Sequence, residues 1–364
     1  AEGRFQMSNR VTIQDIADSL GLSRNTVSKA INNTGILADS TRQRVLAKAV
    51  EMGYKQFSYM DIDALSAVSA HQAPEKNDIA LITTWALNGS HFSATMLDKF
   101  QLELSKRGYS MSMHIARGED IRLKRLPSSI RTENCAAIIC IEVFDEAYAR
   151  FLAECGIPVL FVDSPVDPMG DPLPADILLM DNRDGILSFF KSMHQRGVTD
   201  IGFIGEMLHC RSFFERYMAF TSGVSLYAMH TTDEWCITQK VPALEKGEKG
   251  NPSVNFLTKK FSEMSSLPRA FVCANDFVAI DAMNALKSLG YEIPQDVYLL
   301  GFDDSSESRV VRPQISTVHI HSQVMGFTAT ELILSRIKNP DMNYRTCFCE
   351  SNLILRESTG DTPV

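Results

Sequence analysis

The stretch VTIQDIADSLGLSRNTVSKAINN at residues 11–33 decides the fold of the N-terminal part of the chain. Thr12 followed by Asp15 is a variant of the capping box, in which side chains at a helix start satisfy its free N–H groups. Gly21 then ends the helix, because glycine adopts the left-handed turn without strain. Between these signals, one apolar face at helical spacing is formed by Ile13, Ile16, Ala17 and Leu20.

A second short helix follows the glycine turn, and Ser23 is placed to cap it. Two helices joined in this way predict a helix-turn-helix, whose second helix lies in the DNA major groove. Arg and Lys bond guanine edges there, and Asn pairs with adenine. A helical hairpin with a solvated polar face is the alternative, but the caps, the turn and the donor-rich face together favour DNA. The outward residues of this helix are Arg24, Asn25, Ser28 and Lys29.

A third helix is predicted over 40–52, where apolar residues close a three-helix core and Gly53 ends the helix. The run V-T-I-x-D-I-A-x-x-L-G-L-S-x-x-T-V-S-K-A-I-N, with S-T-R-x-R-V-L-x-K-A-x-E-x-G-Y behind it, resembles the LacI/GalR family of bacterial transcription regulators. The resemblance implies base readers at Arg24, Asn25 and Lys29. Phosphate contacts set the register of a protein on DNA and give salt dependence. The positions that the resemblance places on or beside phosphates are Thr12, Ser23, Thr26, Ser28, Asn32 and Thr41.

The charge distribution agrees with a DNA-binding end. Residues 1–57 carry eight Lys and Arg against five Asp and Glu, a net charge of +3, whereas the rest of the chain carries −11. A small basic head on an acidic body is expected when one end meets an anionic polymer. Because the eight Cys lack the spacing of a disulfide framework, we expect reduced thiols in a cytoplasmic protein, associated with the nucleoid when bound to DNA.

The linker at 57–77 departs from the family, in which Y-x-P-N-x-x-A-R-x-L forms a hinge helix that places a Leu in the minor groove. This chain reads YKQFSYMDIDALSAVSAHQAP at 54–74, without the Pro-Asn pair. Asp61 and Asp63 would be repelled from a groove that attracts Arg. A flexible tether is therefore expected, and a shifted helix that uses Ile62 and Leu65 is the alternative.

From residue 78 onward, continuous apolar runs such as IALITT, AAIICIEV and IPVLFVD alternate with helical patterns. Apolar strands between helices indicate a parallel sheet that is covered on both faces. The pattern predicts a Rossmann-like α/β body with two lobes, of the periplasmic-binding-protein type, with its ligand in the crevice beyond the carboxyl ends of the strands. Helices are expected near 94–106, 145–154, 212–222 and 279–289.

Polar and aromatic residues at those strand ends are the candidates for effector binding. Carboxylates and an Arg around aromatic rings suit a sugar, because they hydrogen-bond hydroxyl groups while a ring stacks on the apolar face. We place Arg216 at the beginning of its helix. The candidates are Trp85, Asn88, His91, Phe92, Asp163, Arg216 and Asp276.

The family resemblance extends into the body. RYMAF at 216–220 is similar to the family's R-x-x-G-F, with Ala in place of Gly, and PRAFVCAND at 268–276 is similar to P-x-A-[IV]-x-x-x-N-D. It implies that Arg216 and Asp276 bind the effector, and Asp163 matches a strand-end Asp with a similar role in some members. The residues supported by position alone are Trp85, His91 and Phe92.

Structural alternatives exist for several of these residues. A strand-end Asp often only caps the next helix. Asp303 and Asp304 are expected to order a loop and not to bind a ligand. Cys347 and Cys349 share one face of a strand, but without a second pair or a His partner a metal site is not expected.

The chain has no G-x-S-x-G, H-E-x-x-H, Walker A or G-x-G-x-x-G motif, so neither an enzyme nor a cofactor is expected. The sequence therefore predicts a homodimeric regulator, most simply a repressor, whose two heads occupy the half-sites of an operator and whose body binds a small molecule. The rivals are a regulator that answers to a partner protein, a sugar-binding protein with a silent head, and an enzyme with an appended head.

The predicted organisation has four parts. An N-terminal extension covers 1–10. Within it, Met7 is the expected initiator, so residues 1–6 are not expected to be native. The helix-turn-helix domain covers 11–56, the atypical linker 57–77, and the two-lobed effector-binding and dimerisation domain 78–364.

Overall fold

A computed structural model describes residues 11–31, 37–52, 76–84, 91–243 and 249–362, with only the backbone at 39, 43, 50 and 91–93. The chain forms two compact units, a head within 1–74 and a body within 75–364. The predicted linker lies almost entirely outside the described residues. Among the helices in these ranges, none has the length and apolar character that crossing a bilayer requires.

The head is a three-helix domain, as predicted. Its helices are α1 (Ile13–Leu20), α2 (Arg24–Ile31) and α3 (Asp39–Glu51). The capping box at the start of α1 is confirmed, because the Asp15 amide donates to Thr12 Oγ1 (3.3 Å) and the Thr12 amide donates to Asp15 Oδ2 (2.7 Å). Gly21 ends α1 at φ +63°. The core between the helices consists of Ile16, Ala17, Val27, Ala30, Ile31, Val45 and Ala49.

The body alternates strands and helices along the chain. Its strands are β1 (Asp78–Thr83), β2 (Ser110–Ile115), β3 (Cys135–Ile141), β4 (Val159–Val162), β5 (Asp176–Met180), β6 (Ile201–Ile204), β7 (Cys236–Ile237), β8 (Ala270–Cys273), β9 (Tyr298–Leu300), β10 (Thr317–Ile320), β11 (Thr346–Cys349) and β12 (Ser351–Ile354). Its helices are α4 (His91–Ser105), α5 (Gly118–Leu123), α6 (Glu146–Ala153), α7 (Asp184–Gln195), α8 (Arg211–Leu226), α9 (Pro252–Glu263), α10 (Asp276–Ser288), α11 (Ser306–Val310) and α12 (Ser322–Lys338).

Two parallel sheets define two lobes, which confirms the predicted fold class. Lobe A is built on the strand order β11-β5-β4-β3-β1-β2, and lobe B on β7-β6-β8-β9, beside which β10 and β12 form an antiparallel pair. In both sheets the order reverses beside the first strand, between β1 and β3 and between β6 and β8. Ligands of open parallel sheets bind beyond the carboxyl ends of strands at such switch points.

The chain crosses between the lobes at three places within the described body. The crossovers join β5 to α7 through 181–183, β10 to α12 through His321, and β11 to β12 through Glu350. Both lobes contribute to one large apolar core, in which β-sheet residues of lobe A and lobe B are continuous. Because these three segments join the lobes, movement of one lobe against the other must change their backbone angles.

A buried ion network fixes the outer edge of lobe A. Asp176 on β5 is 1% exposed and is bound by Arg336 (Nη2–Oδ1 2.9 Å) and Arg345 (Nη2–Oδ2 3.0 Å). Burial by itself raises the pKa of Asp176, but the two guanidinium groups outweigh it and hold the pKa below its ordinary value. The network ties α12 and the edge strand β11 to β5.

We expect Asp176→Ala to destabilise the body by about 3–5 kcal/mol, because it leaves the buried guanidinium of Arg336 and the half-buried one of Arg345 without their carboxylate. The matched control is Asp184→Ala, which breaks an exposed pair with Arg183 (3.0 Å) and should cost about 0–1 kcal/mol. Urea unfolding followed by circular dichroism measures both. Equal losses in the two variants would show that the Asp176 network is not a stabilising element.

Candidate DNA-binding face and effector crevice

The second helix of the head presents the predicted base readers to solvent. Arg24, Asn25 and Lys29 are all exposed on α2, while Val27 and Ala30 on the opposite side are buried in the head core. Residues three and four apart share one face of a helix. Asn25 and Lys29 are four apart, and Arg24 joins them through Ser28, which is four positions from Arg24 and three from Asn25. The head thus has one polar helix face that faces away from its own core.

Four of the six predicted phosphate contacts, at Thr12, Ser23, Thr26 and Thr41, lie at helix starts. Ser23 Oγ accepts a hydrogen bond from the Thr26 amide (3.1 Å) and lies 2.8 Å from Thr26 Oγ1. Thr12 caps α1, and Thr41 lies in the first turn of α3. Helix N-termini attract phosphate oxygens through their free N–H groups and dipole. Ser28 is half-buried on α2. Asn32 lies outside the described residues.

In the body, the side chain of Arg216 lies at the centre of the crevice between the lobes. It is 2% exposed and occupies the second turn of α8, not the beginning of the helix as predicted. Its guanidinium donates from Nε to Asn182 Oδ1 (2.9 Å) and from Nη1 to the Ala274 carbonyl (2.6 Å). Nη2 lies 3.3 Å from Asp303 Oδ1. Its Cζ atom stacks 3.5 Å from the ring centroid of Phe302.

Gly205 and Ala274 lie in close contact at two neighbouring strand ends of lobe B. Gly205 follows β6 at φ +153°, and a Cβ atom there would lie 2.2 Å from the Cβ of Ala274. The two strand ends of lobe B can approach this closely only because residue 205 has no side chain. These strand ends form the switch point of lobe B, and Arg216 reaches it through its hydrogen bond to the Ala274 carbonyl.

Asp163 joins the two lobes. It follows β4 of lobe A at φ +60°, and its Oδ1 accepts from the amides of Ser164 (2.8 Å) and Ser212 (3.2 Å). The Arg211 amide donates to the Ser164 carbonyl (2.9 Å). Because Cys210 supplies no capping side chain to α8, lobe A caps a helix of lobe B. A strand-end Asp was expected, as the alternative to ligand binding, to cap the next helix. Asp163 does cap a helix, but one that is distant in the sequence.

Asp276 lies behind the wall of the crevice. Its side chain is fully buried, and its two oxygens accept from Thr317 Oγ1 (2.6 Å) and the Ser305 amide (2.7 Å). Burial raises the pKa of Asp276 to about 7, and the nearby Asp303 adds to the rise. The preceding Asn275 caps α10. In this conformation Asp276 offers no surface to a ligand. It instead holds the loop that carries Asp303 and Asp304, through the Ser305 amide.

The structure separates Asp303 from Asp304, which were expected to share a loop-ordering role. Asp304 fits that role: it is 8% exposed and binds Arg356 (2.5 Å), Arg309 (2.6 Å) and His319 (2.9 Å). Asp303, at φ +105°, faces Arg216 in the crevice instead. Burial raises the pKa of Asp303 to about 6, against the opposing effect of Arg216.

Sequence reasoning missed further residues of the crevice. Glu142 follows β3 at φ +57°, where burial and the charges of Asp303 and Asp163 raise its pKa. The ring of Phe144 in lobe A meets that of His209 in lobe B (centroids 5.2 Å apart), which in turn meets Phe213 (5.0 Å). The strand-end rule that selected Asp163 would also have found Glu142, since both follow parallel strands of lobe A.

A cavity of about 440 Å³ opens between the lobes beside Asp303. Lobe A contributes Thr95 and the start of α12 to its lining, and lobe B contributes Asp303 and His319. The volume lies within the range of small-molecule sites. Of the crevice residues described above, Asp303 lines this cavity, whereas Arg216 and Phe213 do not.

The remaining predicted residues are only partly described. Trp85 and Asn88 lie outside the described residues, and of His91 and Phe92 the structure describes the backbone at the start of α4. Within the described ranges, no three His, Cys, Asp or Glu side chains are grouped to hold a metal ion.

Comparison with known proteins agrees with both units. Residues 12–56 match the profile of bacterial regulatory proteins of the lacI family, and residues 190–359 match a periplasmic binding protein-like domain. The chain belongs to the LacI family. It is accordingly a DNA-binding transcriptional regulator with a ligand-binding type of body.

Individual relatives align along nearly the whole regulator. The HTH-type transcriptional regulator GalR of Lacticaseibacillus casei is 27% identical over 96% of this chain and 99% of the relative. The ribose operon repressor of Haemophilus influenzae is 27% identical over 95% and 98%. Both are named as regulators of transcription and not as enzymes, and the match of head and body together does not favour a silent head.

Solved structures share the fold. The CelR transcriptional regulator in complex with cellobiose superposes with a TM-score of 0.66 at 20% identity, covering 96% of this chain and 100% of that chain. The lac repressor dimer bound to operator and the anti-inducer ONPF gives a TM-score of 0.63 at 18% identity, with coverage of 96% and 99%.

The pKa of Asp276 predicts how stability depends on pH. The pKa is near 3.8 in the unfolded chain and about 7 in the folded protein, so the stabilisation from this group is complete below pH 4 and is lost as the pH rises to about 7. Asp276→Asn cannot titrate. From pH 5 to pH 7.5 the free energy of unfolding of the variant, taken relative to that of the wild type, should therefore rise by on the order of 2 kcal/mol. Urea unfolding at each pH measures this difference. A difference that does not change with pH would contradict a raised pKa.

Proposed function

We propose that the regulator binds operator DNA through its heads as a homodimer in the cytoplasm and responds to a neutral polyhydroxylated effector, a sugar, bound between the lobes. The observation that carries the proposal is the convergence of Asn182, Asp303 and the Ala274 carbonyl, from separate segments of the body, on the buried guanidinium of Arg216. Repression is the expected sign of regulation.

Selection of bound duplexes from a random DNA pool by the full-length protein tests the DNA-binding half of the proposal. A two-fold symmetric site is the expected product, because two identical heads of a dimer read two half-sites. Enrichment of an asymmetric site, or of none in the presence and absence of the sugars named below, would contradict it.

In the head, we assign base reading to Arg24, Asn25 and Lys29 and phosphate contacts to the residues at the helix starts. The exposure of the three readers on one face of α2 supports the first assignment. Base contacts specify sequence, whereas phosphate contacts position the protein. Loss of a reader should therefore relax specificity at one position of the half-site.

Arg24→Ala or Lys29→Ala should each weaken binding to the selected duplex by about 1–3 kcal/mol and flatten the preference at one base pair. The matched control is Lys48→Ala on α3, a lysine that pairs with Glu51 (2.8 Å). Fluorescence anisotropy with a set of single-base variants of the duplex measures both effects. Unchanged preferences in both reader variants would remove these residues from the interface.

The charge of the crevice supports a neutral effector. Glu142 and Asp163 lie near Asp303, and the guanidinium of Arg216 is already paired with Asp303. A phosphorylated ligand would meet like charge, which is costly where solvent is excluded. Hydroxyl groups suit the site better, because they donate to carboxylates and accept from Arg216, while Phe213 offers an apolar ring face.

Thermal unfolding with ribose, cellobiose and ribose 5-phosphate tests the effector class. A neutral sugar that binds should stabilise the protein by about 2.7 kcal/mol at 100 times its dissociation constant, and ribose 5-phosphate should not. Arg216→Met keeps an apolar stem over Phe302 but has no guanidinium, so it should lose the stabilisation.

The exposed Arg183→Ala, which does not touch the guanidinium, serves as the control and should retain the stabilisation. Stabilisation by the phosphate alone, or an undiminished response of a folded Arg216→Met protein, would contradict the assignment.

The dimer is supported by an apolar surface on lobe A. Met113 and Ile115 on the edge strand β2, together with Leu102 and Leu123, expose between 40% and 54% of their surface. Exposed apolar surface is typical of interfaces, and a second copy of the chain is the occupant we propose. Sedimentation of the full chain should give a dimer, and a monomer at micromolar concentration would contradict this part of the proposal.

A further inference from the structure

Asn182 occupies the crossover between β5 of lobe A and α7 of lobe B. Its side chain is 2% exposed, although its neighbour Arg183 is exposed. A buried amide must satisfy its donors and its acceptor within the protein. The partners of Asn182 therefore show what the crossover is attached to.

All of the partners of Asn182 lie on α8. Its Oδ1 accepts from Arg216 Nε (2.9 Å), and its Nδ2 donates to Glu215 Oε2 (2.9 Å) and lies 3.4 Å from Ser212 Oγ. Residues 212, 215 and 216 stand on one face of the helix, because they are spaced by three and four positions. The crossover thus holds the first two turns of α8, of which lobe A caps the first and Arg216 lies on the second.

We infer that Asn182 is a positioning residue of the effector site: it fixes the orientation of the Arg216 guanidinium and joins that orientation to the crossover between the lobes. The inference rests on the proposed effector site. Nη1 of Arg216 is held by the Ala274 carbonyl of lobe B. Asn182 holds Nε, so the direction of the remaining Nη2 toward the crevice is set by one contact on lobe B and one on the crossover.

This arrangement makes Arg216 sensitive to lobe movement. Hydrogen bonds weaken steeply when the donor angle departs from linearity, so a rotation of the crossover must either carry the guanidinium with it or break the Nε bond. A ligand that fixes Arg216 then stabilises one position of the crossover, and by linkage that position favours the ligand.

Four variants separate this role from simple space filling. Asn182→Leu has a similar volume but neither accepts from Arg216 nor donates to Glu215. Asn182→Asp keeps the acceptor but sets a carboxylate against Glu215. Adding Glu215→Gln supplies an amide donor to Asp. Both bonds are then present, and the donor is reversed only in the bond between residues 182 and 215. Arg183→Ala, on the same crossover, is the matched control.

The first readout is the Nε–H proton of Arg216 in isotope-labelled full-length protein, assigned through Arg216→Lys. Its exchange with solvent should accelerate by about tenfold or more in Asn182→Leu, because a hydrogen bond with a charged donor is lost. It should not accelerate in Asn182→Asp, which keeps an acceptor for Nε. The double variant Asn182→Asp/Glu215→Gln and Arg183→Ala should exchange within about threefold of the wild type.

The second readout is calorimetric titration with ribose and cellobiose. For a sugar that the wild type binds, the dissociation constant should rise by about tenfold in Asn182→Leu and return in the double variant. If neither sugar binds the wild type, the proposed effector class fails, and the exchange measurement alone decides the role of Asn182. Unchanged exchange of Arg216 Nε–H in a folded Asn182→Leu protein, or no recovery in a folded double variant, would overturn the inference.

Discussion

The burial of one guanidinium organises the body of this protein. A cation that is 2% exposed is stable only if its donors find acceptors within the protein. Arg216 finds them on three segments that are far apart in the sequence: the crossover at Asn182, the strand end at Ala274 and the loop at Asp303. All three segments must be in place for the guanidinium to keep its hydrogen-bond acceptors. The proposed effector site therefore depends on the position of the crossover between the lobes.

Backbone strain and charge accumulate around this cation. Glu142, Asp163 and Asp303 all adopt positive φ angles, a conformation that costs free energy in residues other than glycine and that clusters at functional sites. Asp303 is held in place because its neighbour Asp304 binds Arg356 and Arg309. These carboxylates lie near one another and near Arg216, which supports the proposal of a neutral effector with hydroxyl groups.

The sequence predicted what depends on local order. The caps at Thr12 and Ser23, the turn at Gly21 and the alternation of strands and helices are encoded by neighbouring residues, and each is found in the structure. The roles of Asp163 and Asp276 could not be read in this way. One caps a helix of the other lobe and the other is buried under a loop, and both placements depend on contacts between residues about 30 to 50 positions apart. The assignments at Trp85, Asn88 and Asn32 stay predictions.

The proposed response to an effector requires that a sugar bound to the body change the affinity of the protein for DNA. The most direct test is the dissociation constant of the full-length protein for its selected duplex, measured with and without a saturating sugar that binds the wild type. The account predicts a change of about fivefold or more, of the same size when sugar affinity is measured with and without the duplex, and no change in Arg216→Met. A dissociation constant that is the same with and without bound sugar would contradict it.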